Sequence, residues 1–474
     1  MATLHTPDLC VIGAGSGGLS VAAAAAQLGA GVVLIEKGKM GGDCLNYGCV
    51  PSKALIAAAK HAHLLGQGEK FGIGTCEPQV DFAAVTRHVQ GVIDAIAPND
   101  SVERFTGLGV TVIEAAGEFK DRTTVIAGDH EIKARRFVVA TGSSPGIPPI
   151  DGLDGVPYLT NETVFAQKRL PSDLIVLGGG PIGMELAQAH RRLGANVTVL
   201  EMFEPLGKDD PELTRFVLDQ IADDGVTIHA NTRVVGVEKT KSGVAVTVET
   251  NDGTKEISGS HILVAAGRAP NVDGLNLEAA GVRYSRKGIE VNRRLRTRNR
   301  KVYAIGDVAG GFQFTHVANY HAGIVIRNAL FRLRAKVDET IIPWVTFTDP
   351  ELAHIGLTEV EARKRYGKIS VMRWPLAEND RAQAERRTQG LVKVVAARKG
   401  RILGATIVGP NAGELIQPWS LAVSSKLKIK AMTDMIVPYP TFGEINKRAA
   451  YGYYASSLTS PWIGRVMRFL ARFG

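Results

Sequence analysis

One pattern constrains this chain more than any other, and it occurs twice. Leu9-Cys10-Val11-Ile12 is a short apolar run that ends in Gly13-Ala14-Gly15-Ser16-Gly17-Gly18. An alanine-rich stretch follows to about Leu28, and Val32-Val33-Leu34-Ile35 then runs into Glu36. The order predicts strand, glycine turn, helix, strand and acid, with the GxGxxG glycines at Gly13, Gly15 and Gly18. Such glycines let a pyrophosphate approach the helix start, and Glu36 can accept both ribose hydroxyls. Lys37 stands next to it as a further cofactor candidate.

The second copy begins at Leu174-Ile175-Val176-Leu177 and turns at Gly178, Gly180 and Gly183. A helix is expected from Met184 to about Leu193, then a strand Asn196–Leu200 ending at Glu201. Two such units imply two dinucleotides, or one dinucleotide and one flavin nucleotide. A carboxylate at position 201 favours a free 2′-hydroxyl and repels a 2′-phosphate, so NADH is expected over NADPH.

Between the two units lies Gly41-Gly42-Asp43-Cys44-Leu45-Asn46-Tyr47-Gly48-Cys49-Val50-Pro51-Ser52-Lys53. It reads as a glycine-rich loop opening a helix, because Pro51 suits a first helical turn. Cys49 then sits at a helix N-terminus with Lys53 one turn on, and both should favour its thiolate. Cys44 can fold back on it. A low-pKa thiol beside a resolving thiol is a redox couple, but two cysteines can also be a structural disulfide, half a zinc site near His61 and His63, or small buried hydrophobes.

Other segments end in small-residue turns: Thr141-Gly142 after Phe137-Val138-Val139, Gly267-Arg268 after Ile262-Leu263-Val264, and Gly306-Asp307 after Val302-Tyr303-Ala304. Pro145, Pro148 and Pro149 read as a linker. Beyond about Ile341 no glycine fingerprint recurs, which suggests a third domain with another task. With 474 residues the chain is long enough for several domains. Four cysteines are too few for a secreted disulfide scaffold. The formal charge of +9 suits anionic cofactors or surfaces, but no basic stripe interleaves with aromatics, so nucleic acid is not expected. No signal peptide and no run of roughly 18 apolar residues is read, and a cytoplasmic protein is expected.

In these motifs and in their order the chain resembles the pyridine nucleotide–disulfide oxidoreductases of the glutathione reductase, dihydrolipoamide dehydrogenase and mercuric reductase group. The carrying features are Gly13–Gly18 with Glu36, Gly41–Lys53, Ala140-Thr141-Gly142, Gly178–Gly183 with Glu185, Ala266-Gly267-Arg268, Gly306-Asp307 and Phe347-Thr348-Asp349-Pro350-Glu351. The resemblance implies an α/β fold with two Rossmann-like domains and a C-terminal α+β dimerisation domain. FAD would occupy a discontinuous domain of residues 1–150 and 271–340, NAD(P) residues 151–270, and the homodimer contact residues 341–474. Gly42, Thr141, Gly142, Gly267, Arg268, Gly306 and Asp307 join the cofactor contacts, with Asp307 on the ribityl chain. Cys49 would face the flavin and Cys44 would attack substrate. Lys53 would lie near flavin N5, paired with Glu185. No resident metal is implied.

The departures from that pattern bear on substrate. Val437-Pro438-Tyr439-Pro440-Thr441-Phe442-Gly443-Glu444 keeps the frame of the His-Pro-Thr and Glu segment that serves thiol exchange, but Tyr439 stands at the His position. Tyrosine, with a pKa near 10, is a poor base at neutral pH. Mercuric reductases resemble the chain in carrying Tyr there, yet no cysteine follows Cys76 and no C-terminal cysteine pair exists. The expected activity is electron transfer from NADH through flavin and a Cys44–Cys49 disulfide to a small acceptor: a disulfide, a metal ion or a quinone. The alternatives are a dihydrolipoamide dehydrogenase and, outside enzymes, a flavoprotein redox sensor or complex subunit. Residues 461–474 read as a short basic amphipathic helix, for packing in the dimer or for peripheral membrane contact.

Overall fold

The computed structural model describes residues 2–250, 253–455 and 461–473. The chain forms two compact units: Met1–Gly66, Cys76–Met202 and Asn231–Asp338 in one, and Gln67–Thr75, Phe203–Ala230 and Glu339–Gly474 in the other.

The first unit holds both glycine patterns. Leu9–Ile12 is fully buried and pairs in parallel with Val32–Glu36 on one side and Arg136–Val139 on the other. Val110–Glu114 and Val302–Ala304 complete a five-stranded parallel sheet. Its strands read as continuous apolar runs because a parallel sheet is covered on both faces. The helix Ser16–Gln27 covers one face through Leu19, Val21, Ala22 and Ala25. In the second copy Asp173–Leu177 pairs in parallel with Asn196–Leu200 and with His261–Val264. The helix Pro181–Arg192 follows the second glycine turn. These strands and helices lie where the hydrophobic pattern puts them.

Two local readings differ. Cys44 lies in a five-residue helix, Gly42–Asn46, rather than in open loop. The Asn46 amide closes that turn by donating to the carbonyl oxygens of Met40 and Gly42. The expected proline linker contains a strand, Ser143–Pro145, antiparallel to Arg268–Pro270. Proline is tolerated there because a two-stranded ribbon has free edges.

The second unit is built on a five-stranded antiparallel sheet in the order Pro343–Thr346, Glu351–Gly356, Ile402–Gly409, Leu391–Ala397, Ile369–Pro375. Trp419, fully buried in its core, donates its indole N–H to Asn446 at 2.8 Å. The tail forms a helix, Pro461–Leu470; Gly474 lies outside the described residues.

Candidate active site

Both glycine turns build the same cradle. Gly13 has φ +102°, and a Cβ there would stand 2.5 Å from the Ala140 carbonyl oxygen. Gly178 has φ +113° and the same 2.5 Å approach to Ala265. A Cβ on Gly18 would come within 1.8 Å of the Gly13 oxygen, and one on Gly183 within 1.9 Å of the Gly178 oxygen. These four glycines are needed by the protein's own backbone. The middle glycines are different. A Cβ on Gly15 would meet only the Gly42 Cα, at 4.0 Å, and one on Gly180 would meet nothing within 4 Å. Gly15 and Gly180 are the N-caps of their helices and offer no side-chain cap. Asp81, Ser101, Asp210, Thr358 and Asn379 do cap theirs. Open space in front of uncapped helix N–H groups fits a pyrophosphate. Each cradle therefore fits a dinucleotide or FAD.

The acids behave alike too. Glu36 accepts from the Ala14 N–H at 2.6 Å, and Glu201 from the Gly179 N–H at 2.6 Å. The other Glu36 oxygen accepts from the Gly38 N–H at 2.7 Å. Lys37 is exposed and makes no hydrogen bond or ion pair among the described residues.

Beside the first cradle several segments meet in a polar wall. Gly41 donates its N–H to the Ala14 oxygen at 3.0 Å, and a Cβ on Gly42 would strike the Gly15 Cα at 2.7 Å. The cysteine segment is thus laid directly on the first glycine turn. Asp307 accepts from the Ser143 hydroxyl at 2.5 Å, and burial raises its pKa. Arg268 donates to the Ser143 hydroxyl and carbonyl at 2.7 Å each, and reaches Asp43 at 3.2 Å. Gly306 has φ +65°, and its N–H bonds His321 Nδ1 at 3.2 Å. Gly142 and Gly267 are open, with φ of +68° and +132°. The Thr141 hydroxyl is spent on the Asn271 carbonyl oxygen at 2.7 Å, so its side chain shapes the turn. Asn161, whose amide donates to Asp43 at 3.0 Å, was missed from sequence along with Asp43, Ser143 and Asn271 as members of this wall. The one signal for Asn271 was its place three residues after Arg268.

The two cysteines are free thiols. Cys49 opens the helix Cys49–Leu65, as expected. Its pKa is brought down to about 6, chiefly by a hydrogen bond from Cys44 and further by the Lys53 charge and a hydrogen bond from Thr315. The Thr315 hydroxyl lies 3.7 Å from the sulfur. The Cys44 pKa moves up, mainly through its hydrogen bond with Cys49, with burial adding to it. The pair therefore holds one thiol and one stabilised thiolate. Lys53 Nζ lies 2.7 Å from Glu185 on the helix of the second cradle, and the Glu185 side chain is only 6% exposed. That ion pair ties the thiol helix to the second cradle. Among the described residues no group of three or more His, Cys, Asp and Glu side chains could hold a metal ion. His61 turns its ring to the Ala57 carbonyl.

In the second unit Tyr439 is 68% exposed and donates its phenol to Asp380 at 2.8 Å. That bond raises its pKa further from neutrality. Glu444 is held by Arg448 at 2.7 Å.

Two dinucleotide cradles and one activated dithiol define a flavin- and nicotinamide-dependent thiol reductase. The chain belongs to the pyridine nucleotide-disulphide oxidoreductase family, which it matches over residues 7–322, and residues 342–450 match the family's dimerisation domain. It is 37% identical to a mercuric reductase of Lysinibacillus sphaericus over 94% of this chain and 82% of that protein. It is 35% identical to a dihydrolipoyl dehydrogenase of Geobacillus stearothermophilus over 94% of this chain and 95% of that protein. The Cu(II) complex of the HOCl-induced flavoprotein disulfide reductase RclA from Escherichia coli superposes with a TM-score of 0.84 at 27% identity, covering 95% of this chain and all of that one. The chain is thus an FAD-dependent oxidoreductase that uses a pyridine nucleotide, and the dimerisation match supports a homodimer.

Proposed function

We propose that the chain uses NADH to reduce a thiol-reactive acceptor at Cys44 and Cys49. The acceptor is a soft metal ion or a small disulfide, with a quinone as the alternative served directly by flavin. The observation that carries this reading is the Cys44 and Cys49 pair at a helix start, with the Lys53–Glu185 ion pair at 2.7 Å one turn on and the Cys49 pKa lowered by Cys44 and Lys53. In this reading residues 1–150 and 271–340 hold FAD, 151–270 the nicotinamide, and 341–474 form the dimerisation domain with its amphipathic tail. Gly13, Gly15, Gly18, Glu36, Lys37, Gly42, Gly142, Gly306 and Asp307 serve FAD, with Arg268, Gly267 and Thr141 supporting the wall. Gly178, Gly180, Gly183 and Glu201 serve NADH.

FAD, when bound, supplies hydride acceptance from the nicotinamide and onward transfer of the electron pair. The protein's residues do the rest. The Cys44–Cys49 disulfide takes that pair and one proton, and becomes the Cys44 thiol and the Cys49 thiolate. Lys53 steadies the negative charge that gathers at the site, and Glu185 holds Lys53 in place. Cys44 is then the thiol that meets the acceptor. Soft metal ions suit such a sulfur pair. The NADH preference rests on Glu201, and the nicotinamide supply fits a cytoplasmic enzyme.

A dihydrolipoamide dehydrogenase reading is favoured by the Geobacillus relative. Tyr439 stands against it, because a phenol donating to Asp380 cannot take up a proton near neutral pH. The test is NADH oxidation with lipoamide, glutathione disulfide, Hg(II), Cu(II) and a quinone. Metal turnover with the two disulfides slower by about 10²-fold or more is expected, and Tyr439→His should raise disulfide turnover selectively. Brisk lipoamide reduction by the parent would overturn the acceptor assignment.

A further inference from the structure

The tail helix Pro461–Leu470 and the turn after it lie beyond the stretch that matches the dimerisation domain. On a helix of 3.6 residues per turn, Trp462, Ile463, Val466, Met467, Phe469, Leu470 and Phe473 fall within an arc of about 160°. Arg465, Arg468 and Arg472 fall within an arc of about 60° on the other side. No residue from 461 to 474 is acidic. Much of the apolar side is exposed in the protomer: Trp462 is 65% exposed, Met467 61% and Phe473 74%, with Ile463 and Val466 half-buried. Phe469 and Phe473 touch edge to face at 5.2 Å and extend one ring surface past the last helical turn. None of the three arginine side chains makes a hydrogen bond or ion pair among the described residues.

We propose that this helix docks the enzyme on an anionic lipid bilayer, lying in the plane of the interface. The apolar arc enters the acyl boundary and the three guanidinium groups stay at headgroup level. Charge separation selects this occupant. A second copy of the helix packed on the apolar arc would leave all three arginines without a counter-charge, since residues 461 to 474 hold no acid, whereas an anionic bilayer takes up the apolar arc and the guanidinium groups together. Trp462 at the start of the helix is the residue type favoured at that depth. The docking is independent of the acceptor assigned above. It would place the reductase beside lipid-soluble acceptors and membrane-bound donors of its substrate.

The test uses the full-length flavoprotein in vesicle flotation at low salt. Vesicles of phosphatidylcholine with about one-third phosphatidylglycerol should bind at least about tenfold more protein than phosphatidylcholine alone. Arg468→Glu with Arg472→Glu, and separately Leu470→Asp with Phe473→Asp, should each lose at least about tenfold of that binding. Both variants should oxidise NADH with a soluble acceptor at the parent rate. Equal binding to the two vesicle types, or none to either, overturns the proposal. So does a Leu470→Asp, Phe473→Asp variant that sediments as a monomer where the parent is a dimer, because the helix then belongs to the interface between copies.

Discussion

The two cradles are nearly the same object built twice, and the proposed assignment gives one to a resident group and the other to a visiting one. Gly13 and Gly178 take the same left-handed turn, Gly18 and Gly183 the same close approach, and Glu36 and Glu201 the same 2.6 Å bond to a cradle amide. Gly41 and Gly42, however, come to backbone contact with the first glycine turn, and Ser143 joins Asp307 and Arg268 in a hydrogen-bonded wall. Around Gly180 a Cβ meets nothing within 4 Å. In the proposed assignment the first cradle, closed over by the cysteine segment, holds the cofactor that stays, and the second takes a nucleotide that must leave after each hydride transfer. The thiol pair sits on the walled side, and Lys53 reaches across to the helix of the open side.

The largest expected effects come from filling the two open glycines. Gly15→Val should abolish flavin retention, giving a colourless protein. Gly180→Val should leave the flavin bound and raise KM for NADH by at least about tenfold, a loss of roughly 1.4 kcal/mol. Flavin absorbance after gel filtration and steady-state kinetics read both. Flavin loss from both variants, or from neither, would break the distinction between resident and visiting ligands.

A smaller effect follows pH. The Cys49 pKa is lowered, so its thiolate is present above about 6 and is lost as pH falls through that value. In the two-electron-reduced protein, long-wavelength absorbance from thiolate against flavin should fade with a midpoint near 6. It should be absent in Cys49→Ser. A midpoint in the range of an ordinary thiol would mean that Cys44 and Lys53 do not stabilise the thiolate.

The smallest effect tests the acids. Glu201 should give NADH a kcat/KM advantage over NADPH of at least about tenfold, and Glu201→Gln should narrow it. Glu36→Gln should weaken flavin retention and leave the nucleotide preference unchanged. Equal efficiency of NADH and NADPH in the parent would show that the Glu201 carboxylate does not face the ribose.

Much of this comparison was legible in the sequence, because it rests on local periodicity. Leu9–Ile12, Val32–Glu36, Asp173–Leu177 and Asn196–Leu200 are short apolar runs next to glycines whose spacing has one good structural use. The helix start at Cys49 was legible from Pro51, and the Lys53–Glu185 pair from the family resemblance. The wall was not. Arg268 and Asp307 were expected as cofactor contacts from the resemblance, but their hydrogen-bonded cluster with Asp43 and Ser143 joins residues far apart in sequence that only the folded chain brings together. Thr315, which tunes Cys49 from a different helix, was hidden for the same reason. The strand within the proline segment was read as linker because a three-residue ribbon has too few alternating positions to show a period. The Asp380 partner of Tyr439 opens a short helix 59 residues earlier in the chain and left no local signal.

The claim at the centre is that electrons from the nucleotide reach the thiol pair through the flavin. Anaerobic reductive titration of the purified oxidised flavoprotein tests it directly. The parent should take up a second electron pair beyond the one that reduces its flavin, and Cys44→Ser should take up only the first. An identical electron count for the parent and Cys44→Ser would contradict the account, because Cys44 and Cys49 would then not be a redox couple.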